Sequence, residues 1–260
     1  MSKAPDYGQD APNVVRNLLL VGVACLGIWG SAAIGLWSGD AVLGPIAGIE
    51  FRFPSLTFFF PGVGFCAMGI WMVYSSKVGK VKRREHLLAR LEWRGDERVL
   101  DVGCGRGLML IGAAKRLTGG MACGIDIWRS EDLSGNRPEE TLENARREGA
   151  ADRVDIGTAD MRRLPFTDSA FDIVVSSAAI HNIDAPAERS KAIVEIVRVL
   201  KPGGQALVDD IRHLNEYALV FARAGCKDIS RLSPKVLTFA MTLITFGSLR
   251  PGTLRIRKEI

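Results

Sequence analysis

Apolar and polar residues alternate along this chain in three successive patterns. From Asn17 to Gly39, between Arg16 and Asp40, no residue is charged, and from Phe53 to Ser76, between Arg52 and Lys77, again none is. Each run is long enough to cross a hydrocarbon core of roughly 30 Å as a helix rising about 1.5 Å per residue. The pattern predicts two transmembrane helices, at about 17–39 and 54–76. Pro54, Pro61, Gly62 and Gly64 allow a kink in the second or a start near Phe58, and such residues are frequent in membrane helices. A secretory signal is the rival reading of the first run. Its length, its start well inside the chain and the lack of a clear cleavage pattern before Asp40 count against it. A buried helical hairpin of a soluble protein is the remaining alternative.

Residues 77–94 carry the second pattern, a basic helix or linker with Lys77, Lys80, Lys82, Arg83, Arg84 and Arg90. The link from Asp40 to Arg52 has a single basic residue. Basic residues collect on the cytoplasmic side of a span, so the chain beyond the second helix is expected in the cytoplasm. Two crossings then put the N-terminus there too, and the protein is expected to be a multi-pass membrane protein. The same cluster is expected against anionic lipid, each charge near the surface being worth about 1 kcal/mol.

From Gly95 onward short apolar runs alternate with amphipathic helices, the pattern of an α/β sheet. Strands are predicted at Arg98–Val102, Met121–Ile125, Val154–Thr158, Phe171–Ser176 and Gln205–Ile211, and helices at Leu108–Leu117, Glu139–Glu148, Ala187–Leu200 and Asn215–Ala224. With 260 residues the chain holds one sizeable core plus an appendage. The domains expected are 1–76, 77–94 and 95–260. Hydrophobic residues make up 47% of the chain and concentrate at the N-terminus. The formal charge of +5 is explained by the juxtamembrane cluster rather than by nucleic acid. Cys25, Cys66, Cys104, Cys123 and Cys226 form no CxxC pair and no Cys/His cluster, so free thiols are expected, with neither disulfides nor a metal site.

RVLDVGCGRG, residues 98–107, is a strand running into alternating glycines. Glycines let the backbone turn tightly and approach a ligand without a Cβ in the way, and the following helix offers unpaired N–H groups. Asp126 ends the next strand, where a carboxylate accepts ribose hydroxyls. These two features fit NAD as well as any other adenosine ligand, although the third glycine comes one position early for GxGxxG.

DVGCGRG, GID, TADMRRLPF, FDIVVSSAAIHNI and VLKPGGQALVDD occur in that order. Together they resemble the class I S-adenosylmethionine-dependent methyltransferases, in particular the small-molecule branch with the ubiquinone/menaquinone methylases. The resemblance covers Arg94 to Leu232. It implies a Rossmann-like seven-stranded sheet with helices on both faces and an antiparallel last strand, closed here by segments around Asp228–Leu232 and Thr253–Arg257. It also implies S-adenosylmethionine as cofactor. Gly103, Gly105 and Gly107 would lie under its methionyl and ribose part, Asp101 would hold the amino group, and Asp126 the ribose. Ile127 would lie against adenine, Asp160 would bond the adenine amino group with Met161 beside it, and Ser176 and Ser177 would stand where cofactor and acceptor meet.

Methyl transfer from a sulfonium is an in-line displacement, in which positioning alone supplies much of the acceleration. A base is needed only where the acceptor must lose a proton. His181, just past the fourth strand of this domain, is the candidate base, and packing of the loop is the alternative. Asn182 is placed to orient an acceptor oxygen. The loop Trp128–Arg137 is long and polar: Trp128 is a candidate to stack on adenine or form a pocket wall, and Arg129, Glu131 and Asp132 are candidates to close over an acceptor as a lid. Val236–Phe246 is too short to span a bilayer and fits a buried helix, a homodimer face or an interfacial segment. The leading expectation is a membrane-anchored methyltransferase acting on a small acceptor, lipophilic or soluble, at the cytoplasmic face. A non-catalytic scaffold keeping the cofactor fold and an NAD-dependent oxidoreductase are the alternatives. The missing Asn/Asp-Pro-Pro-aromatic motif, replaced by Ser-Ser-Ala-Ala, disfavours nucleic-acid substrates.

Overall fold

The computed structural model describes residues 4–9, 11–46, 49–232 and 249–260, with backbone alone between 41 and 52. The segment Val236–Phe246 lies outside them. Two compact units are formed, one by Gln9–Gly79 and one by Met1–Gly8 with Lys80–Ile260.

The smaller unit holds α1 (Pro12–Ala33), the antiparallel hairpin β1 (Asp40–Ile46) and β2 (Ile49–Pro54), and α2 (Leu56–Tyr74), which runs into a π-helical turn at Ser75–Gly79. Helix α1 starts five residues before the uncharged run and encloses Arg16, because Pro12 occupies the first helical turn, where its missing N–H costs nothing. It stops at Ala33 and not near Gly39, since Gly35 takes the left-handed conformation just past its end. The link expected between the spans is therefore a β-hairpin. The two helices approach closely at glycines: a Cβ on Gly22 would lie 2.5 Å from Cys66 Sγ, and one on Gly69 2.7 Å from Leu19. Such small-residue contacts are how apolar helices pair when no water drives them together. Both helices are long and apolar enough to cross a membrane by length and composition, and only 11% of each apolar window is buried.

The larger unit is a three-layer α/β domain. Its helices are α3 (Lys80–Leu88), α4 (Leu108–Ala114), α5 (Pro138–Arg147), α6 (Pro186–Val199) and α7 (Leu214–Arg223). The strands are β3 (Arg98–Val102), β4 (Met121–Asp126), β5 (Val154–Thr158), β6 (Phe171–Ser177), β7 (Leu200–Asp210), β8 (Cys226–Arg231) and β9 (Gly252–Lys258). They form one sheet in the order β5-β4-β3-β6-β7-β9-β8, parallel except for β9, which runs antiparallel to both its neighbours. Side chains alternate between the faces, as strand geometry requires. Leu100, Val174 and Val208 pack with Ile193, Tyr217 and Phe221 on one side, and Val99, Val175 and Leu207 pack with Leu88, Leu110 and Ala145 on the other. Strand β7 begins at Leu200, five residues earlier than expected. Leu200 pairs with Phe171, the register shifts, and Gly203 absorbs the irregularity at positive φ.

The strand order reverses beside β3, so a crevice opens at the carboxyl ends of β3 and β6, the ordinary ligand position of such sheets.

Candidate functional site

The expected cofactor residues come together at that crevice. Gly103, Gly105 and Gly107 all have positive φ. A Cβ on Gly103 would lie 2.3 Å from the Ala179 Cβ and 3.4 Å from the Met161 methyl, so only glycine lets the loop turn there. Asp126 accepts from Gly105 N at 2.8 Å and Trp128 N at 2.7 Å, and from Asn136 Nδ2 at 3.3 Å. Three donors thus aim the carboxylate, the weakest of them coming from the long loop. Ile127 beyond it is exposed, as a wall awaiting a flat partner would be.

Asp101 is buried, and one of its oxygens accepts from Leu110 N at 2.8 Å while Oδ1 has no partner. Burial, added to by the nearby charge of Asp126, pushes its carboxyl up to about 8. A buried oxygen without a donor costs free energy unless something fills the site, and an ammonium is the group that suits it. Asp160 stands past β5 and is gripped by a forked bond from Arg162, which holds its carboxyl below the usual range.

The acceptor side is built differently from the sequence expectation. His181 sits in a 3₁₀ turn, Ile180–Asn182, and its Nδ1 meets Asp210 Oδ1 at 2.6 Å. Asp210, 2% exposed, also accepts from His181 N, Ile211 N and the Tyr217 hydroxyl. Burial and the Asp210 charge push the Tyr217 phenol up, keeping it a donor. A carboxylate on Nδ1 fixes the tautomer and leaves Nε2 as the basic nitrogen. Asp210 was missed; its signal was the acidic pair closing VLKPGGQALVDD. Asn182 ends the same turn.

Two of the candidate residues have their side-chain polar groups engaged within the fold. Ser176 is 1% exposed and its hydroxyl donates to Val102 O at 2.8 Å. It braces β6 against β3. Trp128 donates its indole N–H to Thr158 on β5, at 2.9 Å. Two strands, β4 and β3, lie between Thr158 on β5 and Ser177 on β6, so the indole is held at the β5 side of the sheet, away from Ser177. Ser177 is half-buried and bonds Asp209, at 3.4 Å. Within the loop, burial raises the Asp132 carboxyl, opposed by the charges of Arg129 and His181 and reinforced by Asp126.

The sequence profile of the methyltransferase domain family matches residues 100–208. Residues 100–208 thus carry the sequence of a methyltransferase domain. S-adenosylmethionine, the methyl donor of such domains, would supply an electrophilic methyl on a sulfonium, and the unpartnered Asp101 oxygen and the glycine cradle fit that ligand. Residues of this methyltransferase domain are 34% identical over 132 residues to a sterol 4-C-methyltransferase of Caenorhabditis elegans, covering 51% of this chain and 36% of the relative. They are 32% identical over 134 residues to a ubiquinone/menaquinone biosynthesis C-methyltransferase of Roseobacter denitrificans, covering 50% of each. The chain spans about half or less of these relatives. In fold, the methyltransferase domain is similar to the YcgJ protein of Bacillus subtilis (TM-score 0.54, 18% identity, 69% of this chain and 99% of that one). It is also similar to geranyl diphosphate C-methyltransferase of Streptomyces coelicolor (TM-score 0.55, 16% identity, 74% and 84%).

Proposed function

We propose that the chain is a membrane-anchored, S-adenosylmethionine-dependent methyltransferase acting on a small lipophilic acceptor at the cytoplasmic face. The observation that carries the activity is the cradle itself: three positive-φ glycines, a pre-aimed Asp126 and a buried Asp101 oxygen lacking a donor, all at one crevice. Anchoring is supported by the two sparsely buried apolar helices. It is also supported by connectivity. The segment before α1 hydrogen-bonds the domain that comes after α2, through Asp6 N to Asn144 Oδ1 at 2.9 Å, which a double crossing permits and a single crossing forbids. Relatives named for a sterol and for quinone biosynthesis fit an apolar acceptor dissolved in the bilayer. His181, aligned by Asp210, takes the acceptor proton where there is one to take.

The test is a calorimetric titration of the detergent-purified chain with S-adenosylmethionine and with NAD, alongside Asp126→Ala. Saturable binding of S-adenosylmethionine alone, weakened at least tenfold by the substitution, is expected. Labelled methyl should then pass into a membrane-lipid extract, with His181→Ala slowing turnover about 10²–10⁴-fold at unchanged cofactor affinity. Binding of NAD instead would make the chain a redox enzyme, and binding of neither would make it a scaffold.

A further inference from the structure

The segment Ala4–Gly8, which precedes the first apolar helix, lies against the back of the cofactor site. Asp6 pairs its backbone with the buried amide of Asn144, accepting at 2.8 Å and donating at 2.9 Å. The same Asn144 amide also donates to Arg106 O, at 3.0 Å, inside the glycine loop. One turn earlier on α5, Thr141 Oγ1 donates to Gly105 O at 2.7 Å, so one helix face carries both supports of the loop.

Arg106, 7% exposed, gathers the surrounding parts. Its guanidinium bonds Asp6 at 3.1 Å, Glu140 at 2.7 Å and the carbonyl of Ser134 in the lid loop at 3.1 Å. Gly8 comes so close that a Cβ there would lie 2.8 Å from Ser134 O and 3.0 Å from Leu133. Leu133 in turn stands 3.0 Å from the position of a Cβ on Gly105. Lid, glycine loop and strap therefore touch one another in a closed ring. Tyr7 anchors the strap: it is 6% exposed, its hydroxyl bonds Glu148, and Arg84 Nη1 donates to it at 2.9 Å. Lys80 Nζ caps the Tyr7 and Gly8 carbonyls at 3.0 and 3.1 Å.

We propose that Asp6 and Tyr7 are positioning residues of the cofactor site, latching the strap onto Arg106, Leu133 and Ser134 so that lid and glycine loop keep their ligand-ready geometry. They touch no ligand themselves. Only Gln9 to Ala11 separate the strap from α1, so the grip on the cofactor loop is set by the segment that enters the apolar helix. The inference rests on the methyl-donor reading for its consequence but not for its first readout.

That readout is hydrogen exchange of residues 103–107 and 129–136 in the full chain without ligand, comparing wild type, Asp6→Ala/Tyr7→Ala and Lys115→Ala. Lys115 bonds Glu148 at 2.6 Å through Oε2, the oxygen that Tyr7 does not use. It controls for simple weakening of the end of α5. Exchange in both loops is expected to rise at least tenfold in the strap variant alone. In the same variant the Kd for S-adenosylhomocysteine and the KM for the methyl donor should rise about tenfold with kcat kept. Unchanged exchange, or an equal rise in Lys115→Ala, overturns the latch. If the double variant fails to fold, Asp6→Ala alone decides, because that carboxylate is 65% exposed and its removal leaves no cavity. Failure of the wild type to bind S-adenosylhomocysteine would sink the methyl-donor reading and leave the exchange comparison standing.

Discussion

Asp101 shows how one side chain reveals its ligand through its discomfort. Its folded value, raised to about 8 by burial with help from Asp126, lies far above the ordinary aspartate value of about 3.9. A group raised on folding binds its proton more tightly in the native state, so its contribution to stability is complete below pH 4. That contribution is lost as pH rises through 8. The unliganded chain is therefore expected to melt at progressively lower temperature between pH 5 and 8, and Asp101→Asn should flatten that slope. An ammonium placed on Oδ1 reverses the preference. Binding of S-adenosylhomocysteine at pH 7 should accordingly release more protons from wild type than from Asp101→Asn, measured by calorimetry in two buffers of different ionisation enthalpy. Equal release would remove Asp101 from amino-group recognition. Asp101 was legible as a candidate because it sits inside the DVGCGRG motif. That of Asp210 was not, since its partner His181 is 29 residues away in sequence and only the parallel pairing of β6 with β7 brings the two together. Ser176 shows the converse: its position at a strand end is visible in sequence, whereas the direction of its hydroxyl, onto Val102 O, is a property of packing.

At the scale of elements, α3 is the instructive case. Four of the six residues of the basic cluster, Lys80, Lys82, Arg83 and Arg84, lie on it, and the cluster looks in sequence like a uniform lipid-binding surface, yet the fold divides it. Arg84 is 2% exposed and pairs with Glu148 at 2.7 Å, its stem lying against Gly112 of α4, where a Cβ would come within 2.5 Å. Arg83 forks onto Asp209 at 2.7 and 3.1 Å, and Lys80 holds the strap. Burial opposes ionisation of Glu148, but bonds from Arg84, Lys115 and Tyr7 outweigh it and hold the carboxyl down to about 2. Arg84→Ala removes a buried guanidinium together with its bonds to Tyr7 and Glu148 and leaves Glu148 to Lys115 and Tyr7, so it should lower the thermal midpoint. The exposed Lys77 and Lys82 should behave in the opposite way. Their double alanine variant is expected to melt within a degree or two of wild type while losing binding to anionic vesicles, at about 1 kcal/mol per charge. A basic side chain in sequence carries no label saying which face of its helix will be covered.

For the whole molecule, the strap before α1 and the domain after α2 belong to one unit, so both ends of the apolar pair must emerge on the same side of any membrane they cross. Tags at the two chain ends should be cut together by protease in inverted vesicles and protected together in intact spheroplasts. Opposite behaviour of the two ends would rule out the hairpin topology. Periodicity and glycine spacing determined by themselves the two apolar helices, the alternation of strands and helices, and the cofactor cradle, because each is a local pattern that the backbone must obey wherever it lies. The tertiary structure alone decided which acid aligns His181, which arginines are buried, where the lid rests and what the N-terminal strap grips. Those are contacts between residues far apart in the chain, and they exist only once the sheet has set its order and the two cores have closed on its faces.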